Sequence, residues 1–228
     1  MRKASKRWRA DSAKVTAGKR YPVEEAITLL TSFAPAKFDE TLELAFWLGV
    51  DPKKGDQIVR GSVVLPHGLG GKSRTVLVFA ESDKAREAEA AGADFVGGQE
   101  LVKKVEGGWT DFDVAIAVPA MMRFVGRLGK VLGPAGKMPS PKAGTVTDDV
   151  TRAVKEYKAG KVEYRVDAGS NVHAPIGKRS FAPPQIRENL MAFVDSIRAA
   201  KPATSKGVYI RSCTLSATMS PGITLDIQ

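Results

Sequence analysis

The chain has one cysteine, Cys213, and two histidines, His67 and His173, in 228 residues. A single thiol excludes an intrachain disulfide framework and fits a reducing compartment. One cysteine and two distant histidines leave no tetrahedral set for structural zinc, so neither a metal nor another cofactor is expected. Long apolar runs are missing too. The longest uncharged stretch, Ser212 to Leu225, is rich in Ser and Thr and falls short of the roughly 18 apolar residues a membrane helix needs. Acidic side chains are in deficit: 25 Asp and Glu face 35 Lys and Arg, a net charge of +10. What remains, 43% hydrophobic and 7% aromatic residues, is ordinary for a globular chain and excludes wholesale disorder. The expectation is a soluble intracellular protein with a polyanionic partner and no membrane.

The charge is uneven. Residues 1–20 carry eight basic side chains and one acid, Asp11, for a net +7. This run fits a solvated tail, an acid-poor organellar transit peptide or a basic arm on phosphates, and Trp8 within it favours the arm. Residues 121–142 hold Arg123, Arg127, Lys130, Lys137 and Lys142 with no acid, among four Gly and three Pro. Residues 69–159 hold 14 bases and 12 acids, net +2, whereas 1–68 with 160–228 hold 21 and 13, net +8. That asymmetry points to one domain made of both termini and interrupted by another.

The hydrophobic pattern divides the chain in the same way. Pro22 to Phe33 reads as a helix with Glu24 and Glu25 in its first turn. Thr41 to Leu48 alternates, with Leu42, Leu44, Phe46 and Leu48 on one face and Thr41, Glu43, Ala45 and Trp47 on the other, as a half-buried strand does. A turn at Asp51 to Gly55 then leads to a strand at Ile58 to Leu65, and the two strands read as a hairpin. From Thr75 the style changes to buried strands alternating with short helices. These are strands at Thr75 to Ala80, Phe95-Val96 and Val114 to Val118, and helices at Asp83 to Ala91 (capped by Ser82), Gln99 to Val105 and Pro119 to Leu128. A Gly/Pro-rich loop, 129–144, and a helix at Asp148 to Lys158 follow. Such alternation predicts an open, mostly parallel α/β sheet. After Gly160 strands return at Val162 to Val166, Asn171 to Ala174, Gly207 to Thr218 and Ile223 to Ile227, with an amphipathic helix at Pro184 to Ala200. The fold class is therefore α/β with two domains. Residues 1–68 and 160–228 form an α+β domain, an antiparallel sheet with helices on one face, and 69–159 form an inserted Rossmann-like α/β domain. The crossings fall at Pro66-His67-Gly68 and Ala159-Gly160.

Catalytic constellations lack their parts. His67 to Ser73 is Gly-rich, but a P-loop needs Gly where Pro66 stands and a helix where Thr75 to Ala80 reads as strand. Two GxxG spacings, Gly126 to Gly129 and Gly133 to Gly136, match the backbone clamp of KH loops, although the second contains Pro134. The paired carboxylates Glu24/Glu25, Asp39/Glu40 and Asp148/Asp149 sit at element starts, where capping accounts for them. His173, within a strand, reads as a packed or hydrogen-bonded imidazole, and no nucleophile–base set occurs. The sequence thus reads as a binding protein and not an enzyme; a nucleotide-dependent α/β enzyme built on 69–159 is the rival.

Several blocks resemble one family. They are Ala36-Lys37-Phe38-Asp39-Glu40-Thr41 with Glu43, Val64-Leu65-Pro66-His67-Gly68, Ala91-Gly92-Ala93-Asp94, Leu128 through Pro134, Lys137 through Val146, and Thr218-Met219. In order and spacing the chain is similar to bacterial ribosomal proteins of the L-one family along essentially its whole length. The resemblance implies two domains on a two-stranded hinge. It also implies binding of stalk ribosomal RNA of the large subunit through the terminal domain, and help in releasing deacylated tRNA from the exit site. Repression of translation from the protein's own operon messenger RNA follows as well, by the same surface or as a regulator acting off the ribosome. The implied protein is cytoplasmic, ribosome-bound and monomeric within the ribosome.

The family's RNA contacts carry over to Lys37, Phe38, Thr41, Glu43, Thr218 and Met219, joined by Arg165, Asp167 and Ser212. Such residues suit shape-directed reading, with an aromatic ring against ribose or base and hydroxyls against 2′-OH groups. Arg123, Arg127, Lys130, Lys137 and Lys142 are the candidates for tRNA or a second RNA element. Three positions depart from the family: Ser220 stands where it has Gly after Thr-Met, Ala168 and Ser170 alter its Asp-Lys-x-Gly, and Ser140 replaces an Asn.

Overall fold

The computed structural model describes residues 5–71 and 73–227. Arg2 and Lys3 of the basic arm and Lys72 of the Gly-rich run lie outside them. The described chain is a mixed α/β fold. It begins with α1 (Lys6–Ser12), α2 (Val23–Thr31), β1 (Thr41–Leu48), β2 (Arg60–Val64), β3 (Val76–Phe79), α3 (Ser82–Ala90), β4 (Phe95–Gly97), α4 (Gln99–Glu106) and β5 (Val114–Ala117). It continues with α5 (Met122–Val125), α6 (Gly129–Leu132), α7 (Val150–Lys158), β6 (Lys161–Arg165), β7 (Asn171–Lys178), α8 (Pro183–Ala199), β8 (Ile210–Ala217) and β9 (Ile223–Thr224). These elements divide between two compact units, Met1–Gly71 with Val162–Gln228, and Lys72–Lys161.

In the first unit β1 lies between β7 and β8, antiparallel to both, and β9 borders β8. The alternation of β1 explains its place: Leu42, Leu44, Phe46 and Leu48 are all buried, each worth roughly 1.5–3 kcal/mol when removed from water. They pack against Ala26, Ile27 and Leu30 of α2 and the apolar stripe Ile186, Leu190, Phe193, Val194 and Ile197 of α8. The Phe46 and Phe193 ring centroids lie 5.7 Å apart. α8 starts on two prolines, whose fixed φ suits a first turn, and Gln185 accepts the Ala182 amide at 3.0 Å. Both helices cover the same sheet face, so the opposite face carries the polar half of each strand.

One irregularity matters for that open face. The β1–β7 register shifts between Leu42, opposite Gly177, and Glu43, opposite Pro175. The bulge adopts φ +153° at Gly177, where a Cβ would meet the Phe181 ring at 2.9 Å. The extra residue turns Lys178 toward Thr41, onto the open face. Pro175 is tolerated because β7 is an edge strand.

The sequence suggests a β1–β2 hairpin, and this is not what forms. Both edges of β1 are occupied, and β2 pairs instead with β6 in a separate two-stranded sheet. The segment after β2 is fixed by Asn189, fully buried on α8. Its side chain accepts the His67 amide at 3.0 Å and donates to the Gly68 and Ile176 carbonyls at 2.9 and 2.7 Å. His67 Nε2 meets Glu188 at 2.6 Å on the same helix.

The second unit holds a parallel sheet in the order β4-β3-β5. Every side chain of β3 is buried, and the strand feeds two cores. Val76 and Val78 pack with Ala88 of α3 and Val150, Val154 and Tyr157 of α7. Leu77 and Phe79 pack with Val102 and Val105 of α4 and with Val125, Leu128 and Leu132. The continuous apolar run reflects cover on both faces. A strand, not a helix, follows the Gly-rich run 67–73. Ser82 does not cap α3; it is the helix's first residue, a non-glycine at φ +53°, and Glu81 stands at the cap with no side-chain bond. The helix expected from Pro119 to Leu128 is broken into 3-10 turns flanking α5, and α6 continues into the expected loop. Gly126 and Gly129 within it lower helical preference.

Asn189→Ala strands two backbone carbonyls and one amide without their partner. We expect a loss of about 2–4 kcal/mol in urea unfolding, and a loss under 1 kcal/mol would contradict this anchoring role.

Candidate nucleic-acid interface

The open face of the four-stranded sheet is a set of cross-strand rows. Lys178 lies opposite Thr41, Pro175 and Ser216 flank Glu43, His173 and Thr214 flank Ala45, and Asn171 and Ser212 flank Trp47. Thr224 extends the third row from β9. Hydroxyl and amide groups on a half-exposed, nearly side-chain-flat surface can pair with ribose hydroxyls and phosphate oxygens without reading base identity.

One end of this face is built by a buried ion pair. Glu40, 1% exposed, meets Arg179 Nη1 at 2.6 Å. The same guanidinium donates to the Thr31, Phe33 and Ala34 carbonyls, which fixes the chain entering the 33–40 loop. The other Glu40 oxygen accepts the Met219 amide at 3.2 Å, and Arg179 N donates to Glu40 O at 2.9 Å. Glu40 thereby ties the loop that carries Lys37 and Phe38 to the Thr218-Met219 turn, with Phe38 and Met219 55% and 52% exposed. Thr218 closes the seam. Its hydroxyl accepts the Thr41 amide at 3.0 Å, and its own amide donates to Thr41 O at 3.1 Å. Lys178 Nζ donates to Thr41 Oγ1 at 2.8 Å, leaving a positive charge on the surface. Arg7 of α1 donates to the Met219 carbonyl at 3.3 Å, so part of the basic arm adjoins this end. Ser220 bonds back to Ala217, accepting its amide at 2.8 Å, and its hydroxyl closes that turn.

The opposite end is a tight turn at Asp167. Its Oδ1 accepts the Asn171 amide at 2.7 Å and the Gly169 amide at 2.8 Å, and Oδ2 accepts Asn171 Nδ2 at 3.4 Å. The Asn171 amide foremost, with its side chain and the Gly169 amide, holds the Asp167 carboxyl below the usual aspartate range. Ser170, where the resembling family has Gly, sits at φ +66°, and its hydroxyl donates to Val50 O at 2.9 Å. The departure therefore places a side chain in a left-handed position that glycine occupies without strain, with one hydrogen bond in return. Trp47 is 46% exposed, and Arg211 lies over its ring at 4.8 Å.

Of the residues expected to contact RNA, Lys37, Phe38, Thr41, Glu43, Ser212, Thr218 and Met219 gather on this face or its rim. Asp167 borders it through Asn171. Arg165 is exposed at the end of β6, on the other sheet. Sequence reasoning missed Lys178, which only the bulge reveals, and Asn171, Thr214 and Ser216; Arg7 belongs to the basic arm it did single out. His173, read as a packed or hydrogen-bonded imidazole, is exposed on the open face, because the alternation of β7 puts it on the side of Glu43. The alternation at Ser212, Thr214 and Ser216 was a signal available in the sequence.

In the second unit Arg123, Arg127 and Lys130 are exposed along one side of the broken helical run, and Lys142 is exposed nearby in sequence. Arg123 lies over the Phe124 ring at 4.5 Å. Lys137 differs: its ammonium donates to the Thr110 and Phe112 carbonyls at 3.0 and 2.6 Å. Amides of the two GxxG segments are spent within the chain, Gly129 on Gly126, Gly133 on Gly129 and Gly136 on Gly133. His67 and Gly68 of the expected crossing are held on α8, as above; Pro66 precedes them, and Ala159 and Gly160 follow α7. Cys213 is buried behind the open face, and burial pushes its thiol up to about 12.

The sequence model described as the Ribosomal protein L1p/L10e family matches residues 30–221.

Two outcomes follow from the two ends of the face. Arg179→Met leaves Glu40 buried and unpaired, and should cost about 3–5 kcal/mol in denaturant unfolding; a cost below 1 kcal/mol would show that the pair organises nothing. A lowered Asp167 pKa stabilises the fold at pH above the unfolded carboxyl value, and that contribution disappears as pH falls through the lowered value. Carboxyl-detected NMR titration should therefore place Asp167 below a model aspartate; a normal or raised value contradicts the turn.

Proposed function

The chain belongs to the ribosomal protein L1p/L10e family, and from that premise we propose that its open four-stranded face holds the stalk ribosomal RNA. Membership makes it an RNA-binding protein of the large ribosomal subunit, from a family of structural proteins and not of enzymes. The observation that carries the proposal is the joining of Thr41 to Thr218, and of Met219 and Arg179 to Glu40 at the end of the loop that carries Lys37 and Phe38, at one end of that face.

In this reading the terminal segments form an RNA-binding domain and the parallel sheet between them a Rossmann-like insert. The connections near 66–68 and 159–160 act as the hinge. Phe38 packs on a ribose or base, hydroxyls of Thr41 and Thr218 meet 2′-OH groups, and Lys37 and Lys178 neutralise phosphates. Glu43 rejects a strand whose phosphates would fall against it. Arg123, Arg127, Lys130 and Lys142, exposed and without acids among them, are the surface for exit-site tRNA, whose release the protein assists. Lys137, committed to two carbonyls, contributes there by holding the loop. The same open face takes a like-shaped fold in the protein's own operon messenger RNA and represses its translation. The working compartment is the cytoplasm.

Phe38→Ala and Thr218→Ala should each weaken binding of the full chain to a stalk ribosomal RNA fragment by about 1–3 kcal/mol, with Thr218→Ser close to wild type. Unchanged affinity in both alanine variants would overturn the site.

A further inference from the structure

Around the start of β8 lies a cleft of about 290 Å³, lined by core residues such as Cys213 and Leu225 and touching the open face through Ser212. Four cations from separate parts of the first unit line it: Arg20 ahead of α2, Arg198 and Lys201 at the end of α8, and Arg211 on β8. No carboxylate lines it among the described residues. Its ionisable Tyr209 and Cys213 are each pushed up to about 12 by burial and stay neutral, so they offset none of this charge. The Tyr209 hydroxyl is buried and has no hydrogen-bond partner among the described residues.

The cations are not equally engaged. Arg198 donates to Ile227 O at 2.6 Å and lies 3.4 Å from Asp195, which fixes its guanidinium at the cleft. The Arg20 and Lys201 side chains make no hydrogen bond or ion pair among the described residues. Arg211 lines the cleft while lying over Trp47, and Ser212 belongs both to the cleft and to the last row of the open face. Arg20, Lys201 and Arg211, which have no acidic partner among the described residues, repel one another round this concave site until an anion enters, and guanidinium groups suit the oxygens of a phosphate.

We propose that this cleft is a phosphate subsite that takes one backbone phosphate of the RNA lying on the open face, as the strand leaves the sheet past Trp47. The subsite rests on the reading of that face as the RNA surface. It extends the RNA footprint beyond Ser212 to the end of α8 and fixes where the strand must run.

The test uses the full chain, a stalk ribosomal RNA fragment and a series of salt concentrations. The paired substitution Arg20→Gln with Lys201→Gln touches two exposed side chains that hold nothing else. We expect roughly tenfold weaker binding near 0.1 M salt, and a slope of log affinity against log salt shallower by about 1, the signature of one lost phosphate. An unchanged slope overturns the subsite. A slope shallower by about 2 also overturns it, replacing one shared phosphate with two separate surface contacts. Inorganic phosphate that binds the wild-type chain, with RNA affinity indifferent to the paired substitution, would make the cleft a free-anion site and overturn the proposal as well. Thr218→Ala in the same series separates the two readings. If wild type binds and Thr218→Ala weakens it while the paired variant does not, the subsite alone fails; if wild type does not bind the RNA, the open-face reading fails first.

Discussion

The Glu40–Arg179 pair is the interaction on which the proposed RNA surface depends. Sequence separates the 33–40 loop from both the end of β7 and the Thr218-Met219 turn by well over a hundred residues, and this pair is where they meet. Burying two charges is expensive, and the arrangement recovers that cost by satisfying nearly every lone pair and N–H of the two groups. Glu40 accepts from Arg179 and from the Met219 amide; Arg179 donates to three further backbone carbonyls. A hydrophobic pair in the same space could hold the strands together. It could not fix the direction of the loop backbone, which decides where Lys37 and Phe38 point.

From that fixed end the open face follows by strand geometry. β1 sends its apolar residues into the core under α2 and α8 and its polar ones outward, and the flanking strands repeat the pattern in register. The result is a sheet surface of hydroxyls, an amide, an imidazole and one carboxylate, with cations at the rim: Arg7, Lys37 and Lys178 at one end, Arg211 at the other. This division suits RNA recognised by shape. Rim cations supply salt-sensitive affinity, and neutral groups on the sheet supply the fit to ribose and backbone.

Much of this was legible in the sequence where a period or a motif carried it. The strand at Thr41 to Leu48 and its two faces agree with the structure residue for residue, and the α8 stripe is an unbroken helical pattern. The change from alternating to continuous apolar strands likewise announced a sheet covered on both faces. Of the residues expected at Lys37, Phe38, Thr41 and Thr218, Thr41 and Thr218 are bonded to one another, but all four were located by family resemblance, since no local pattern ties residue 38 to residue 218. Other features depended on long-range contacts. The partner of β2 is set by which edges of β1 remain free, and Lys178 reaches the face only through the bulge at Gly177. The Asp167 turn closes through backbone amides that composition does not show, and the four cations of the cleft are scattered from residue 20 to residue 211.

The most direct test of the account is an amide NMR titration of the full chain with a stalk ribosomal RNA fragment. The account predicts that perturbed amides trace the open face, from Lys37, Phe38, Thr41, Thr218 and Met219 through Glu43 and Ser216 to Asn171 and Ser212, while the buried stripe of α8 from Ile186 to Ile197 stays unmoved. Perturbations confined to α2 and α8, or to residues 73–161 alone, would contradict it.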